Sequence, residues 1–229
     1  FRTELLSSLT RDFINGEEFT RLMREKGIHE DDTVVLYGDK SNWWAAYALW
    51  VFTLFGHKDV RLLDGGRDAW MSEERDTSFM VPEFPESDYP EVTRDDSVLR
   101  AFVSDVREAT GSLVDTRPPE EFAGEATEFD PNGNSPYGTT MCRGHIPGAI
   151  NLEWDRATYP NSCFRNIDDL KVNYGMLEPD TPTILYSHVG AQAAFTWFVL
   201  TYLLGFKKAQ VYDGSWSEWG NMVNMPIEK

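Results

Sequence analysis

The stretch Thr183–Gly205, TILYSHVGAQAAFTWFVLTYLLG, determines how this chain folds. Thr183–Tyr186 is a short apolar run that predicts a buried strand, and the longer apolar run Phe195–Leu204 predicts a core helix. A tight loop joins the two. Backbone N–H groups at such a strand–loop–helix junction point towards one spot, and the helix dipole adds positive potential there. The stretch therefore predicts a binding site for a small anion, such as thiosulfate or sulfate.

The first residue of this loop, Ser187, is expected to lie over the converging N–H groups and is the candidate catalytic position. The anion-binding loop continues through His188, Val189, Gly190, Ala191, Gln192 and Ala193.

A second copy of this stretch lies earlier in the chain. Val34–Trp70 aligns with Thr183–Trp219 without a gap, and the identical residues include two Gly and a Trp near the ends of both segments. This similarity indicates a duplicated domain of medium size. In the first copy the loop contains Asp39, whose carboxylate would repel an anion, so we interpret the first copy as structural.

Strands that alternate with helices predict an α/β fold, with mainly parallel sheets covered by helices on both faces. We expect two domains, 1–75 and 98–229, joined by a proline-containing linker over 76–97. About 85 residues precede the matched segment in the second copy and only 33 do so in the first. The first domain is therefore expected to be truncated at its N-terminus, with roughly 50 of its residues upstream of Phe1.

Two further predictions concern the second domain. Arg100–Ala109 is predicted to be a helix, and 125–142 to be a long polar loop. Asp115 and Arg117 follow the predicted strand Ser112–Asp115, and we expect them to support the anion-binding loop through an ion pair, with a role for Arg117 in binding substrate as the alternative.

The composition excludes several classes of partner. The formal net charge of −17 argues against binding to nucleic acid or to an anionic membrane. It is consistent with a solubilising acidic surface, or with adaptation to high salt or low pH. The two cysteines, Cys142 and Cys163, form no CxxC pair, so neither a metal nor a cofactor is expected, and a reduced cytoplasmic protein is the default.

Taken together, three motifs resemble the tandem rhodanese family of thiosulfate and 3-mercaptopyruvate sulfurtransferases. They are Asp115-Thr116-Arg117, the turn Gly144–Ala149, and Asp213-Gly214-Ser215 followed by Trp219. The resemblance is greatest to the bacterial and archaeal thiosulfate sulfurtransferases. It implies two rhodanese-like domains, with a silent first domain and an active second one. It also implies a cysteine nucleophile that takes sulfur from thiosulfate as a persulfide and passes it to cyanide or a thiol.

This chain departs from the family pattern at the residues that carry the chemistry. Ser187 occupies the position of the nucleophilic cysteine, and a hydroxyl cannot form a persulfide. His188 stands where the family usually has Arg or Lys, and Gln192 where it usually has a second basic residue or Thr. Gly190 is retained, so the backbone of the loop is expected to survive.

Two explanations of Ser187 remain open. In the first, the serine is natural and the protein has lost sulfur transfer but is retained for anion binding, scaffolding or regulation, with a possible protein partner. In the second, the serine replaces, or is recorded in place of, the cysteine of an active thiosulfate sulfurtransferase. We expect neither a hydrolytic Ser187–His188 pair nor a phosphatase, and we interpret Cys142 as an inert thiol rather than a substitute nucleophile.

Overall fold

A computed structural model of the protein describes residues 2–7, 9–10, 12–125 and 140–229. It divides the chain into two compact units. The first unit contains Phe1–Asp96 and Pro160–Cys163, and the second contains Ser97–Tyr159 and Phe164–Lys229. Among the described residues, no helix combines the length and apolar character needed to cross a bilayer. Most of the predicted polar loop over 125–142 lies outside the described residues.

The first unit is built on a two-stranded parallel sheet. Its elements are α1 (Gly16–Glu25), β1 (Thr33–Leu36), α2 (Trp43–Leu54), β2 (Asp59–Leu62) and α3 (Gly66–Ser72). β1 and β2 pair in register from Thr33 with Asp59 to Leu36 with Leu62. Helix α2 is the core of the unit, since ten of its side chains are buried. These include the aromatic residues Trp43, Tyr47 and Trp50.

The second unit contains a five-stranded sheet in which every pairing is parallel. Its strands are β3 (Arg100–Ala101), β4 (Ser112–Asp115), β5 (Ile150–Asn151), β6 (Thr183–Tyr186) and β7 (Ala209–Tyr212), in the spatial order β3-β7-β6-β4-β5. Its helices are α4 (Val103–Arg107), α5 (Pro119–Phe122), α6 (Ile167–Asn173), α7 (Ala191–Phe198) and α8 (Ser215–Trp219). The predicted α/β class with parallel sheets is confirmed.

Strand β6 lies at the centre of this sheet, and all four of its side chains are buried. A central parallel strand is covered on both faces, so it needs an uninterrupted apolar sequence rather than an alternating one. The predicted strand Thr183–Tyr186 is confirmed at both ends. Helix α7 packs beside it, and the Trp197 indole N–H donates a hydrogen bond of 3.1 Å to the carbonyl of Ala209 at the start of β7.

The predicted helix over Arg100–Ala109 is wrong at both ends. Arg100 and Ala101 instead form β3, paired with Val211 and Tyr212 of β7. Phe102 remains extended, and its N–H donates to the Asp105 carboxylate at 2.7 Å, so the helix can begin only at Val103. The side chains of Arg100 and Ala101 are buried. These two residues therefore belong to the edge strand of the sheet, although the sequence pattern predicted a helix for them.

The burial of β6 yields the first testable prediction. Leu185 is fully buried, so Leu185→Ala should lower the free energy of unfolding by about 2–5 kcal/mol through lost apolar contact and the cavity left behind. Leu9→Ala is the matched control, because that side chain is 91% exposed. Chemical denaturation of the three proteins measures the difference, and equal stability of the two variants would contradict this placement of β6.

Candidate functional site

The candidate site lies where β6 ends at the carboxyl edge of the five-stranded sheet. Ligands of parallel α/β sheets bind at this edge. The predicted loop begins directly after Tyr186, and its last three residues, Ala191, Gln192 and Ala193, already belong to the first turn of α7. These three are buried, whereas Val189 is partly exposed. The seven loop residues named from the sequence are thus a four-residue connection and a helix N-terminus.

The turn into α7 depends on Gly190. Its φ is +84°, in the left-handed region that favours glycine. A Cβ atom at this position would lie 2.5 Å from Oδ1 of Asp213, closer than real Cβ contacts allow. Any larger residue would therefore displace either the loop or Asp213, which explains why this glycine remains when the residues around it differ from the family pattern.

Ser187 is 1% exposed, and its hydroxyl faces the backbone of its own loop. Its Oγ accepts a hydrogen bond of 3.0 Å from the N–H of Gly190. Its own N–H donates to Oγ of Ser215 at 3.1 Å. The side-chain oxygen at position 187 therefore occupies a point towards which a backbone donor is directed. A thiolate at the same position would accept the same donor.

Helix α8 holds the loop from the other side. The carbonyl of Ser187 accepts from the N–H of Trp216, and the carbonyl of His188 accepts from the N–H of Ser217, both at 3.0 Å. Ser215 has a φ of +55° and donates its hydroxyl to the carbonyl of Tyr212 at 2.8 Å. The sequence analysis recognised the Asp213-Gly214-Ser215 motif but not this function. The repeat alone could not show it, because Ser215 corresponds to Gly66 in the first copy.

Asp115 and Arg117 form a buried ion pair beside the loop. The guanidinium donates to the carboxylate through Nη2 at 2.6 Å and Nε at 3.0 Å, and Nη2 also reaches the carbonyl of Gly144 at 2.8 Å. The two side chains are 0% and 2% exposed. The predicted ion pair is thus present, while its role in supporting the loop and the alternative substrate role of Arg117 both stay predictions.

Two aromatic rings enclose the Arg117 guanidinium. Its Cζ lies 4.6 Å from the ring centroid of Trp216 and 5.9 Å from that of Tyr186. Burial acts to lower the pKa of Arg117, but the Asp115 carboxylate outweighs it and the net pKa is raised. Burial, and then the same carboxylate, raises the pKa of Tyr186 well above its usual value. Arg117 is therefore charged, and Tyr186 neutral, at any physiological pH.

Glu121 lies next to this ion pair and was not identified from the sequence. Its Oε2 lies 3.6 Å from Nη1 of Arg117 and 4.0 Å from Nδ1 of His188. His188 is 5% exposed, and it borders a crevice too narrow to admit a water molecule. The crevice is lined by Arg117, Glu121, Cys142, Arg143, His188 and Trp216. The four-residue spacing from Arg117 to Glu121 could have indicated their contact from the sequence. The contact between Glu121 and His188 joins residues far apart in the chain, so no local pattern indicates it.

The two cysteines are both unbridged and partly buried. Cys142 borders the crevice, whereas Cys163 belongs to the first unit. Burial, together with the carboxylates of Asp64 and Glu73, raises the pKa of Cys163, which makes its thiol a weak nucleophile near neutral pH. Within residues 2–7, 9–10, 12–125 and 140–229, no three His, Cys, Asp or Glu side chains are arranged to hold a metal ion.

A family model described as Rhodanese-like domain matches residues 8–73 and 99–222. A protein named thiosulfate sulfurtransferase from Corynebacterium glutamicum is 58% identical over 98% of this chain and 75% of its own length. A protein named sulfur carrier protein TtuD from Thermus thermophilus is 44% identical over 96% of this chain and 79% of its own.

Solved structures share the fold. That of YnjE superposes with a TM-score of 0.85 at 24% identity, over 100% of this chain and 56% of that one. An EanB variant in complex with ergothioneine gives a TM-score of 0.85 at 23% identity, over 100% of this chain and 58% of that one. The chain thus spans less than two thirds of these two solved proteins, and at such identities the likeness concerns the fold alone.

The buried ion pair yields the second testable prediction. Arg117→Met should cost about 3–5 kcal/mol of unfolding free energy, because Asp115 would be left as an uncompensated buried charge. Arg61→Met removes the same group from an exposed pair with Asp59 and should change stability little. Denaturation curves of both variants test this, and a loss no larger for Arg117 than for Arg61 would contradict the supporting role of the pair.

Proposed function

This chain belongs to the rhodanese family, and from that premise we propose that its second loop binds a sulfur oxyanion of the thiosulfate class without transferring sulfur. The observation that carries the proposal is the contact between Oγ of Ser187 and the N–H of Gly190. An oxygen atom stands at the point where the family's chemistry requires sulfur.

The loss of transfer follows from the chemistry of the hydroxyl. In sulfur transfer, a thiolate attacks the outer sulfur of thiosulfate, a new S–S bond forms, and sulfite leaves with the electrons of the old one. A serine would first have to lose a proton of very high pKa, and among the described residues the hydrogen bond of its Oγ is to a backbone N–H rather than to a basic side chain. Ser187 therefore supplies neither a thiolate nor a persulfide.

The remaining backbone supports anion binding. The N–H of Gly190 is bonded to Ser187 Oγ, but α7 begins immediately afterwards, and its N-cap residue, Gly190, provides no side chain to cap the first turn. N–H groups at the start of a helix favour negative charge. Because the adjacent crevice does not admit a water molecule, an anion must displace side chains to enter. We therefore expect weak affinity, with a Kd of about 1 mM.

A second candidate function is an active thiosulfate sulfurtransferase. The names of the relatives favour it, including the protein from Corynebacterium glutamicum that is 58% identical to this chain. It requires a cysteine at position 187. Among the described residues, the thiol of Cys142 borders the crevice but does not lie at the start of α7, where a helix dipole would activate it.

A role in which the anion-loaded protein is recognised by a protein partner is compatible with either candidate. One relative is named as a sulfur carrier protein, and a carrier delivers its cargo to another macromolecule. We include scaffolding or regulation of such a partner in the proposal.

The third testable prediction concerns turnover. The protein with Ser187 should give no thiosulfate:cyanide sulfurtransferase activity above a control without enzyme, because it cannot form the persulfide intermediate. Thiocyanate production measures this directly. Turnover clearly above the control, abolished by Ser187→Ala, would contradict the proposal that a serine at this position has lost sulfur transfer.

The fourth prediction asks whether only the nucleophile is missing. Ser187→Cys should gain the mass of one sulfur atom after treatment with thiosulfate, since the Gly190 N–H and the helix dipole stabilise a thiolate and its persulfide there. Peptide mapping must locate the added sulfur at residue 187. Ser72→Cys, an exposed site in the first unit, is the control for a thiol without the loop. Equal modification of both variants, or of neither, would show that the loop no longer activates a nucleophile.

A further inference from the structure

His188, Glu121, Arg117 and Asp115 form a contiguous buried cluster next to the proposed anion site. The Oε2 atom of Glu121 is 4.0 Å from Nδ1 of His188 and 3.6 Å from Nη1 of Arg117, which is bonded to Asp115 in turn. None of the four side chains is more than 10% exposed. Charges in this cluster therefore interact strongly, because solvent screens them little.

The charge of the cluster depends on the protonation of His188. A proton on the imidazole adds one positive charge and converts the 4.0 Å contact with Glu121 into an ion pair. The second guanidinium at the crevice, that of Arg143, contributes the same charge in both states. An entering anion therefore meets one more positive charge when His188 is protonated than when it is neutral.

We propose that anion binding at this loop is coupled to uptake of a proton by His188, so that the site takes its oxyanion together with a proton. The inference rests on the proposed function, because it specifies how the same site admits a ligand. By linkage, the anion raises the proton affinity of His188 as much as the proton raises the affinity for the anion. His188 is the second residue of the loop and its side chain is almost fully buried, so its charge acts on an anion at the start of α7 with little screening by solvent.

Other charged groups near the loop do not make the affinity for an anion depend on pH in the same way. Arg117 and Arg143 at the crevice carry guanidinium groups, which remain charged at physiological pH. Behind the loop, Asp213 lies next to Gly190 and pairs with Arg100 at 3.9 Å. Cys142 also borders the crevice. Among the described residues facing the loop, the imidazole is the group whose unperturbed pKa lies nearest to neutral.

Isothermal titration with sodium thiosulfate, and separately with sodium sulfate, from about pH 5.5 to about pH 8.5 tests the proposal across the range in which an imidazole titrates. Both ligands remain dianions throughout. Affinity should rise as the pH falls, by up to about tenfold per pH unit where one proton is taken up. Titrations in buffers of different ionisation enthalpy count the protons and should give an uptake between zero and one.

Three variants separate this proposal from the underlying site. His188→Gln should bind weakly with no dependence on pH below neutral, and His188→Arg should bind at the high pH at which the parent protein has lost affinity. His29→Gln changes an exposed histidine paired with Asp88 and should keep the parent's dependence. Circular dichroism confirms that each variant is folded.

Two outcomes distinguish a failure of the proton coupling from a failure of the anion site itself. Binding by the parent that keeps the same pH slope in His188→Gln would overturn the coupling while leaving the anion site in place. Absence of binding by the parent and by His188→Arg at every pH would overturn the proposed function and the coupling together.

Discussion

The site depends on one constraint: four residues must carry the chain from the end of a central buried strand into a helix. Ser187–Gly190 achieve this because Gly190 adopts a left-handed conformation and Ser187 folds its hydroxyl back onto the Gly190 N–H. A parallel strand in the middle of a sheet cannot move to relieve strain. The loop is therefore shaped by its surroundings as well as by its own residues.

The surroundings hold this geometry through polar groups that are almost entirely buried. Helix α8 donates two backbone N–H groups to the loop carbonyls, and Ser215 accepts from the loop in turn. On the other side, Arg117 links Asp115 at the end of β4 to the carbonyl of Gly144. Satisfied buried networks of this kind are costly to disturb, since each broken bond leaves a desolvated group. This accounts for a loop whose backbone is held on two sides by buried hydrogen bonds.

Much of the fold could be predicted because it follows from local sequence. The buried strand β6 is an uninterrupted apolar run, and the repeat then placed β1. The short strand β3 could not be predicted, because a buried arginine at a sheet edge gives no apolar pattern. The sequence also singled out the loop and the Asp115–Arg117 pair as candidate site residues, and their roles stay predictions. The contact of Glu121 with His188 joins residues far apart in the chain, so only the tertiary structure shows it.

The central claim is that a backbone anion site persists around an oxygen atom. Amide ¹H–¹⁵N spectra during titration with thiosulfate test it most directly, at about pH 5.5, where the proposed coupling gives the highest affinity of the range in which an imidazole titrates. The account predicts saturable shifts concentrated on the N–H groups from His188 to Ala193, with sulfate producing the same pattern. Spectra in which these amides do not respond, while others do or none do, would contradict it.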